Sequence, residues 1–418
     1  MGGRASLFLV IGFSFIFMVA GQYFNKMATD TTENISTYYY DAKTHQLASS
    51  GVNILVDQLF FDATFQDGNY NYNFDGGTIS TTLSTIDSYQ NIRQIISVGT
   101  YTTKDGSSYS STIKIVLKPS RFSKYAYFSN DEGGNIYWTS KDTVWGPFHT
   151  NDDLHIAYNP VFFGEVTIGG SEIKSPLSSK AKYFDGFKKN IHINIPSNGV
   201  TNVATQAASG GAQISGHSNV YFEFRGDSVR YRYSTSGTGS TWTYKLASSF
   251  APNGVIYISN ANVHLLGTVK GQYTLAVSGS SGTGSIYLDN DIVYNTNPAT
   301  NPSSTDMLGI VAQQNVWITD NTNNNTNGIK INGSIYCQSG SFGAENYSTR
   351  PAAGFIDLYG GITQNTRGAV GTFTTDWWGN TYINHGFSKR YRYDDRLLTS
   401  YPPAYPGCGT FEVVSWFE

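Results

Sequence analysis

Charge is what this sequence has least of. Lys and Arg number 27 and Asp and Glu 30, together 14% of 418 residues, against roughly 25% in an average soluble domain. The formal net charge is only −3. No basic block occurs that could follow a phosphate backbone, so nucleic acid is not expected as a partner. Cysteine is scarce too. Cys337 and Cys408 are too few for a zinc ribbon or a disulfide-dense scaffold; they are either one disulfide or two buried thiols. Catalytic signatures are also missing: no nucleophile elbow, no phosphate-binding glycine loop and no HExxH. No catalytic, cofactor-binding or metal-ligating residue is therefore assigned, and the chain is read as a non-enzyme without a cofactor.

What is present points to a mainly β protein. Aromatics reach 15%, with Tyr 30 and Phe 25, and Gly is 44. Tyr and Thr suit pleated surfaces, while Gly and Asn suit tight turns between short strands. The first sixty residues differ. Ala5 to Ala20 reads ASLFLVIGFSFIFMVA, at the short limit for spanning a bilayer. Arg4 before it favours a cytoplasmic N-terminus and an exported remainder. A cleaved signal peptide needs small residues before the cut, which Met18-Val19-Ala20 lacks. From Tyr23 to Phe61 there is no Pro, and Gly51 is the single Gly. Met27, Ile35, Tyr38, Ala42, Ala48, Val52, Leu55, Val56 and Leu59 recur at spacings of mostly three or four, which predicts an amphipathic helix continuing from the apolar one.

A glycine before the apolar run, a very short leader and one helix passing from membrane into domain resemble type IV pilins and pseudopilins. The resemblance covers the first 60 residues or so, including AKTHQLASSGVNILVDQL, Ala42 to Leu59. It implies Gly3-Arg4 as the processing junction. Most major pilins carry a Glu five residues after the cut, where Phe8 stands here. That departure implies a minor subunit, a tip component or a plain anchor rather than a major filament subunit. Further on, WGPFHTN, DMLGIVAQQNVWI, KRYRYDDRLL and YPPAYPG resemble a family of uncharacterised bacterial exported proteins known only as a domain of unknown function, which transfers no chemistry.

The expected organisation is a transmembrane anchor at 1–22, an amphipathic helix at 23–62, and a small antiparallel sheet at 63–120 packing on that helix. A β-solenoid at 121–375 follows, with an insertion at 171–250, and then a C-terminal cap at 376–418. Within the sheet, Phe65 to Phe74 reads as a polar loop. Strands are expected at Thr78–Ile86, Ile92–Thr102 and Ser111–Leu117, with Lys104-Asp105-Gly106 as a hairpin signal. After Ser120, short strands separated by Gly, Asn or Asp, such as VIYISNANVHL and SIYLDNDIVYN, read as a right-handed β-helix. A β-sandwich is the alternative. In the insertion, a strand is expected near Ile191–Ile195, TNVATQAASGGAQISGHSN as an outward loop, and VYFEFRGDSVRYRY as a hairpin turning at Gly226-Asp227. Thr319 to Gly328 reads as a solvated loop.

Candidate chemistry is thin. His149 and His155 near Asp152 and Asp153 have ligand-type side chains, but an Asn151-Asp152-Asp153 turn would put the histidines on different strands. On a strand Asp289 and Asp291 would share one face, and paired carboxylates serve glycosidases and calcium-dependent lyases, yet the spacing fits an ordinary Asp/Asn turn better. Asp394, Asp395 and Arg396 read as surface ion pairs with Lys389 and Arg390. Trp138, Trp377 and Trp378 could stack on sugars or simply fill a core. A disulfide between Cys337 and Cys408 would pin the proline-rich tail to a late strand.

The function expected is a non-catalytic, membrane-anchored extracytoplasmic component, minor-pilin-like or part of a surface assembly. Its partners would be the lipid bilayer and pilin-like or secretion-assembly subunits. It would sit in a bacterial inner membrane as a single-pass protein, N-terminus inside, its bulk periplasmic or surface-exposed. The alternative is a polysaccharide-binding or polysaccharide-degrading β-helix with glycans as partners.

Overall fold

The computed structural model describes residues 2–62, 64–87, 91–134, 136–140, 142–234, 241–280, 282–376 and 381–418. The protein is mainly β with one long N-terminal helix, and its sheets are open and mixed. It divides into two compact units, Met1–Pro119 with Thr410–Glu418, and Ser120–Gly409.

In the first unit a single helix runs from Gly2 to Phe61. Its apolar start is wholly exposed, from Leu7 through Val19. Burial begins only at Thr44 and then recurs at Leu47, Ala48, Val52, Leu55 and Leu59, the 3.6-residue stripe of a helix lying on a sheet. Met27, Ile35 and Tyr38, expected on that stripe, are exposed instead, so the packed face is shorter than its periodicity suggested. The sheet has five strands, the last of them Gly407–Phe417 beside Ser108–Arg121. Residues Phe65–Phe74 are not a loop throughout: Gly68–Phe74 is a strand that pairs antiparallel with Gly77–Asp87. Asp75 and Gly76 make the turn at φ 47 and 73, the two left-handed positions a tight hairpin demands. Ile92–Thr102 pairs antiparallel with both neighbours. Gly99 is what lets the helix come down on it, since a Cβ there would collide with the Thr44 carbonyl oxygen. Thr410–Glu418 belongs with this unit and not with a C-terminal cap. There the last strand lies on the otherwise unpaired edge of Ser108–Arg121, and Phe411 joins the helix–sheet core.

Beside a shorter ladder that joins Ile286–Tyr294, Val316–Ile318 and Phe342–Ala344, the second unit has two long ladders of parallel strands. One runs from Ala212–Ile214 through Val255–Ile258, Gln272–Val277 and Met307–Ala312 to the C-terminal halves of Ile329–Cys337 and Ala352–Thr366. The other runs from Asn219–Gly226 through Asn262–Val269 and Ile286–Tyr294 to the N-terminal halves of Ile329–Cys337 and Ala352–Thr366 and then Thr381–Arg392. These parallel pairings are not those of an antiparallel β-sandwich. The next tier in space is not next in sequence. Tyr127–Asp131 pairs with Ala352–Thr366, and Thr143–Trp145 with Thr381–Arg392. Phe148–Thr150, Val161–Phe162, Val166–Ile168, Lys182–Tyr183 and Phe187–Lys188 continue outward from there. The earliest segment of the unit is thus stacked on its latest.

Residues 171–250 are only partly an insertion, because 182–188 and 212–226 are tiers of the ladders. Asn219–Gly226 and Ser228–Ser234 form the expected hairpin, Arg225 opposite Ser228. The region from Ile191 to Ile195 is not a strand; Ile193 and Ile195 pack on the outer core cluster. The supposed outward loop contains the helix Gly199–Ala208, which buries Val200, Val203 and Ala207. Between Thr319 and Gly328 a short helix, Thr322–Asn327, is capped by the Asn321 side chain accepting from the Asn324 N–H at 3.0 Å. Asn324 itself is buried and donates to the Leu288 and Thr319 carbonyls.

Candidate functional site

Because side chains alternate across a strand, each ladder has an inward and an outward column. In the first ladder Ile256, Leu275, Ile310 and Ile335 point into the main core, while Ala276, Val311 and Tyr336 point to a second cluster outside it. Two tiers depart from this aliphatic interior, where Ala352–Thr366 meets Tyr127–Asp131. Gln364 stands opposite Ser129, and Glu132 is fully buried beside them. The Glu132 carboxylate accepts from Tyr127 Oη at 2.8 Å, Ser129 Oγ at 2.6 Å, Trp138 Nε1 at 3.0 Å and Arg367 Nη1 at 2.8 Å. The Arg367 guanidinium lies 4.2 Å from the Trp138 ring centroid. Burial disfavours its charge, but Glu132, Tyr127 and Asp142 together more than offset this and its pKa is raised. Lys389 Nζ stands 3.7 Å from Asp142 Oδ1; burial dominates there and lowers its pKa.

The residues singled out in the sequence fall elsewhere. His149 lies on the outward column, stacked 4.9 Å from Phe128. Its Nδ1 is paired with Thr167 Oγ1 at 2.7 Å and its Nε2 with Asn151 Oδ1 at 2.9 Å, so both ring nitrogens are used. Desolvation pulls its pKa down to about 4 against the help of Asn151. His155 is on the following strand, Leu154–Ile156. Asp152 accepts from the Glu132 N–H and Asp153 from the Ser171 N–H, both as turn braces. No cluster of three or more metal-ligating side chains occurs among the described residues.

Asp289 and Asp291 do not act together. A register shift places them in a bulge opposite Leu266. There Asp289 meets His264 Nδ1 at 3.0 Å and accepts from Thr319 Oγ1, while Asp291 accepts from the Lys330 N–H. Asp394 is buried rather than on the surface and pairs with Arg396 at 2.6 Å. Arg396 goes on to donate to the Ser304 and Asp306 carbonyls. Of the expected partners, Lys389 pairs with Asp142 and Arg390 with Asp357. Trp138 is 1% exposed in the core; Trp377 and Trp378 lie outside the described residues.

Cys337 and Cys408 are both buried and are not bonded to each other. The expected disulfide does not form because Cys337 faces the main core while Cys408 belongs to the outer cluster with Tyr336 and Tyr405. Adjacent residues on a strand face opposite ways, so Tyr336, not Cys337, meets Cys408. Burial pushes the Cys337 thiol up to about 12, which keeps it unreactive. Gly3 and Arg4 lie at the start of the N-terminal helix. The first part of that helix is long and apolar enough to cross a membrane and none of it is buried, which fits a single-pass membrane anchor.

One concave feature of the second unit was not foreseen. A groove of 1220 Å³ runs along the outward face of the second ladder. Its floor is the column Val293, Asn332, Tyr359, Arg392, Trp145 and Phe163. A parallel column alternates in charge, with Lys330 beside Asp357 beside Arg390. Trp145 and Phe163 are stacked 5.8 Å apart with planes at 14°, so they cover each other's faces.

Residues 89–171 match a family model described as a domain of unknown function, DUF4900. Nothing among curated proteins matches. Among solved structures the chain is similar to the competence-associated pilin ComZ from Thermus thermophilus, at 10% identity and a TM-score of 0.38, covering 91% of this chain and 97% of that one. A TM-score at that level is too low to transfer a fold or a function.

Proposed function

We propose that this chain is a membrane-anchored, non-catalytic extracytoplasmic subunit that works by assembly, in the manner of a minor pilin-like protein. The observation that carries this is the uninterrupted helix Gly2–Phe61. Its first part is apolar and exposed, and its last part is the core of a helix-on-sheet unit. A helix of this kind needs lipid or sister helices around one end and is fixed by its own domain at the other. Met27, Ile35, Tyr38 and Tyr39, exposed on the stretch between, supply apolar surface to neighbouring subunits. In this reading Gly3-Arg4 is the processing junction, the N-terminus is cytoplasmic, and the bulk is periplasmic or at the cell surface. The two ladders are faces of one right-handed β-solenoid. The non-catalytic reading is supported by the engagement of Asp152, Asp153, Asp289 and Asp394 in structural hydrogen bonds.

Mass spectrometry of the mature N-terminus from the native host tests the anchor. A chain beginning at Met1 or Arg4 is expected; one beginning after Ala20 would remove the anchor and overturn the proposal. A reporter active only in the cytoplasm, fused after Glu418, should be silent.

A further inference from the structure

We propose that the groove on the second ladder binds an extended oligosaccharide along the stacking direction, with Lys330, Arg392 and Asp395 bonding to its hydroxyls. This goes beyond the assembly reading and does not depend on it.

Shape is the first argument. The floor column crosses six tiers, and neighbouring strands lie ~4.8 Å apart, so the floor is roughly 24 Å long. That is a site for a polymer rather than for a compact metabolite. One spacing between tiers is close to the advance of one hexose in an extended chain, so successive sugars would meet successive tiers in register. Asn297 and, at the start of the short helix Asp395–Leu398, Asp395 also line the groove. Gly146 and Gly164 line it as well. Gly146 has φ 117, and a Cβ on it would press into the Tyr393 ring; one on Gly164 would collide with the Gly146 carbonyl.

Charge is the second argument. Four cationic and four carboxylate side chains line the groove. Such a balance does not suit a polyphosphate, which needs an excess of cations, but it suits a ligand whose hydroxyls both donate and accept. Half of these groups are already engaged: Arg390 with Asp357 and the Phe355 ring, Lys389 with Asp142, and Glu165 with Lys188. Arg392, Lys330, Asp395 and Asp185 are exposed and form no ion pair among the described residues. They are free to bind.

The floor also selects against a peptide. Its strands are hydrogen-bonded on both sides, so no free edge is offered for strand addition, the usual source of affinity for extended peptides. Phe163 is sandwiched between Trp145 and Phe184 and offers no open face for stacking.

The test is titration of the full-length chain in detergent micelles with three hexasaccharides: a neutral β-1,4-glucan, its N-acetylglucosamine counterpart, and an acidic polyuronate. The corresponding disaccharides serve as length controls. At least one hexamer is expected to bind about tenfold or more tighter than its dimer. Arg392→Ala and Lys330→Ala should each weaken it about tenfold with an unchanged melting temperature, and Trp145→Phe should abolish the tryptophan fluorescence change on binding. The proposal is overturned if no hexamer saturates at millimolar concentration, if dimer and hexamer bind alike, if Arg392→Ala binds as well as the parent, or if an extended peptide competes for the site.

Discussion

The joint between Gln272–Val277 and Met307–Ala312 and the joint between Ala352–Thr366 and Tyr127–Asp131 do the same mechanical work with different chemistry. Both are parallel pairings in the same ladder. The first lays Leu275 on Ile310 and Val277 on Ala312, all buried and aliphatic. It joins segments close in sequence. The second lays Gln364 on Ser129, with the Glu132–Arg367 pair behind, and joins residues 235 positions apart. Apolar contact is non-directional and tolerates sliding between tiers. A carboxylate receiving four donors does not slide. The lesson is that directional bonds are concentrated where chain connectivity gives no help with register, at the cost of taking charges out of water.

The most severe way to break this contrast is Glu132→Ala. It leaves the Arg367 guanidinium buried without its counter-charge and should destabilise the second unit by about 3–5 kcal/mol, read from chemical denaturation. Replacing both partners, as Glu132→Leu with Arg367→Met, should recover most of the loss. A single substitution costing under about 1 kcal/mol would mean that the ionic joint is not what holds those tiers.

A smaller effect comes from the outward column one tier beyond the joint. His149 has a pKa of about 4 in the folded chain against 6.5 when free. The unfolded chain therefore binds the proton first as pH falls, and stability drops on acidification through this window. His192 and Lys124 nearby add to the depression. From about pH 7 to about pH 5 the second unit should lose about 2 kcal/mol, and His149→Gln should remove that part of the dependence. A parent protein equally stable at both pH values would contradict the buried neutral imidazole.

The aliphatic joint should respond mildly. Ile310→Val deletes one methylene from a packed interior and should cost about 1 kcal/mol, well below Glu132→Ala. Finally, thiol labelling of the unfolded, non-reduced protein should count two reactive groups per chain, Cys337 and Cys408. A count of zero would restore the disulfide and require one of the two core columns to turn over.

Legibility in the sequence followed the range of the interaction. The hairpins at Lys104-Asp105-Gly106 and Gly226-Asp227 were readable because a turn is decided by two or three adjacent residues. The strand Gly68–Phe74 was missed although Asp75-Gly76 carries the same signal; its polar Asn-Tyr alternation looked like loop. The helix Gly199–Ala208 was missed because large apolar residues are few, yet Val200, Val203 and Ala207 stand at helical spacing. KRYRYDDRLL drew notice for its charge, and Arg390, Arg392 and Asp395 do line the groove. The other side of that groove, Trp145 and Phe163, lies more than two hundred residues earlier, and no local pattern ties the two together.

By itself, then, the sequence determined the apolar start of the long helix, the mainly β character and the hairpin turns, because each rests on composition or on periodicity within one element. Only the tertiary structure decided that the earliest tiers of the second unit stack on the latest. It also decided that Asp394 and Glu132 are interior, that Cys337 and Cys408 face different cores, and that a groove exists at all. The physical reason is that strand pairing is settled by backbone hydrogen bonds that every residue can offer. The choice of partner therefore depends on which side chains meet across the joint, and these are distant along the chain.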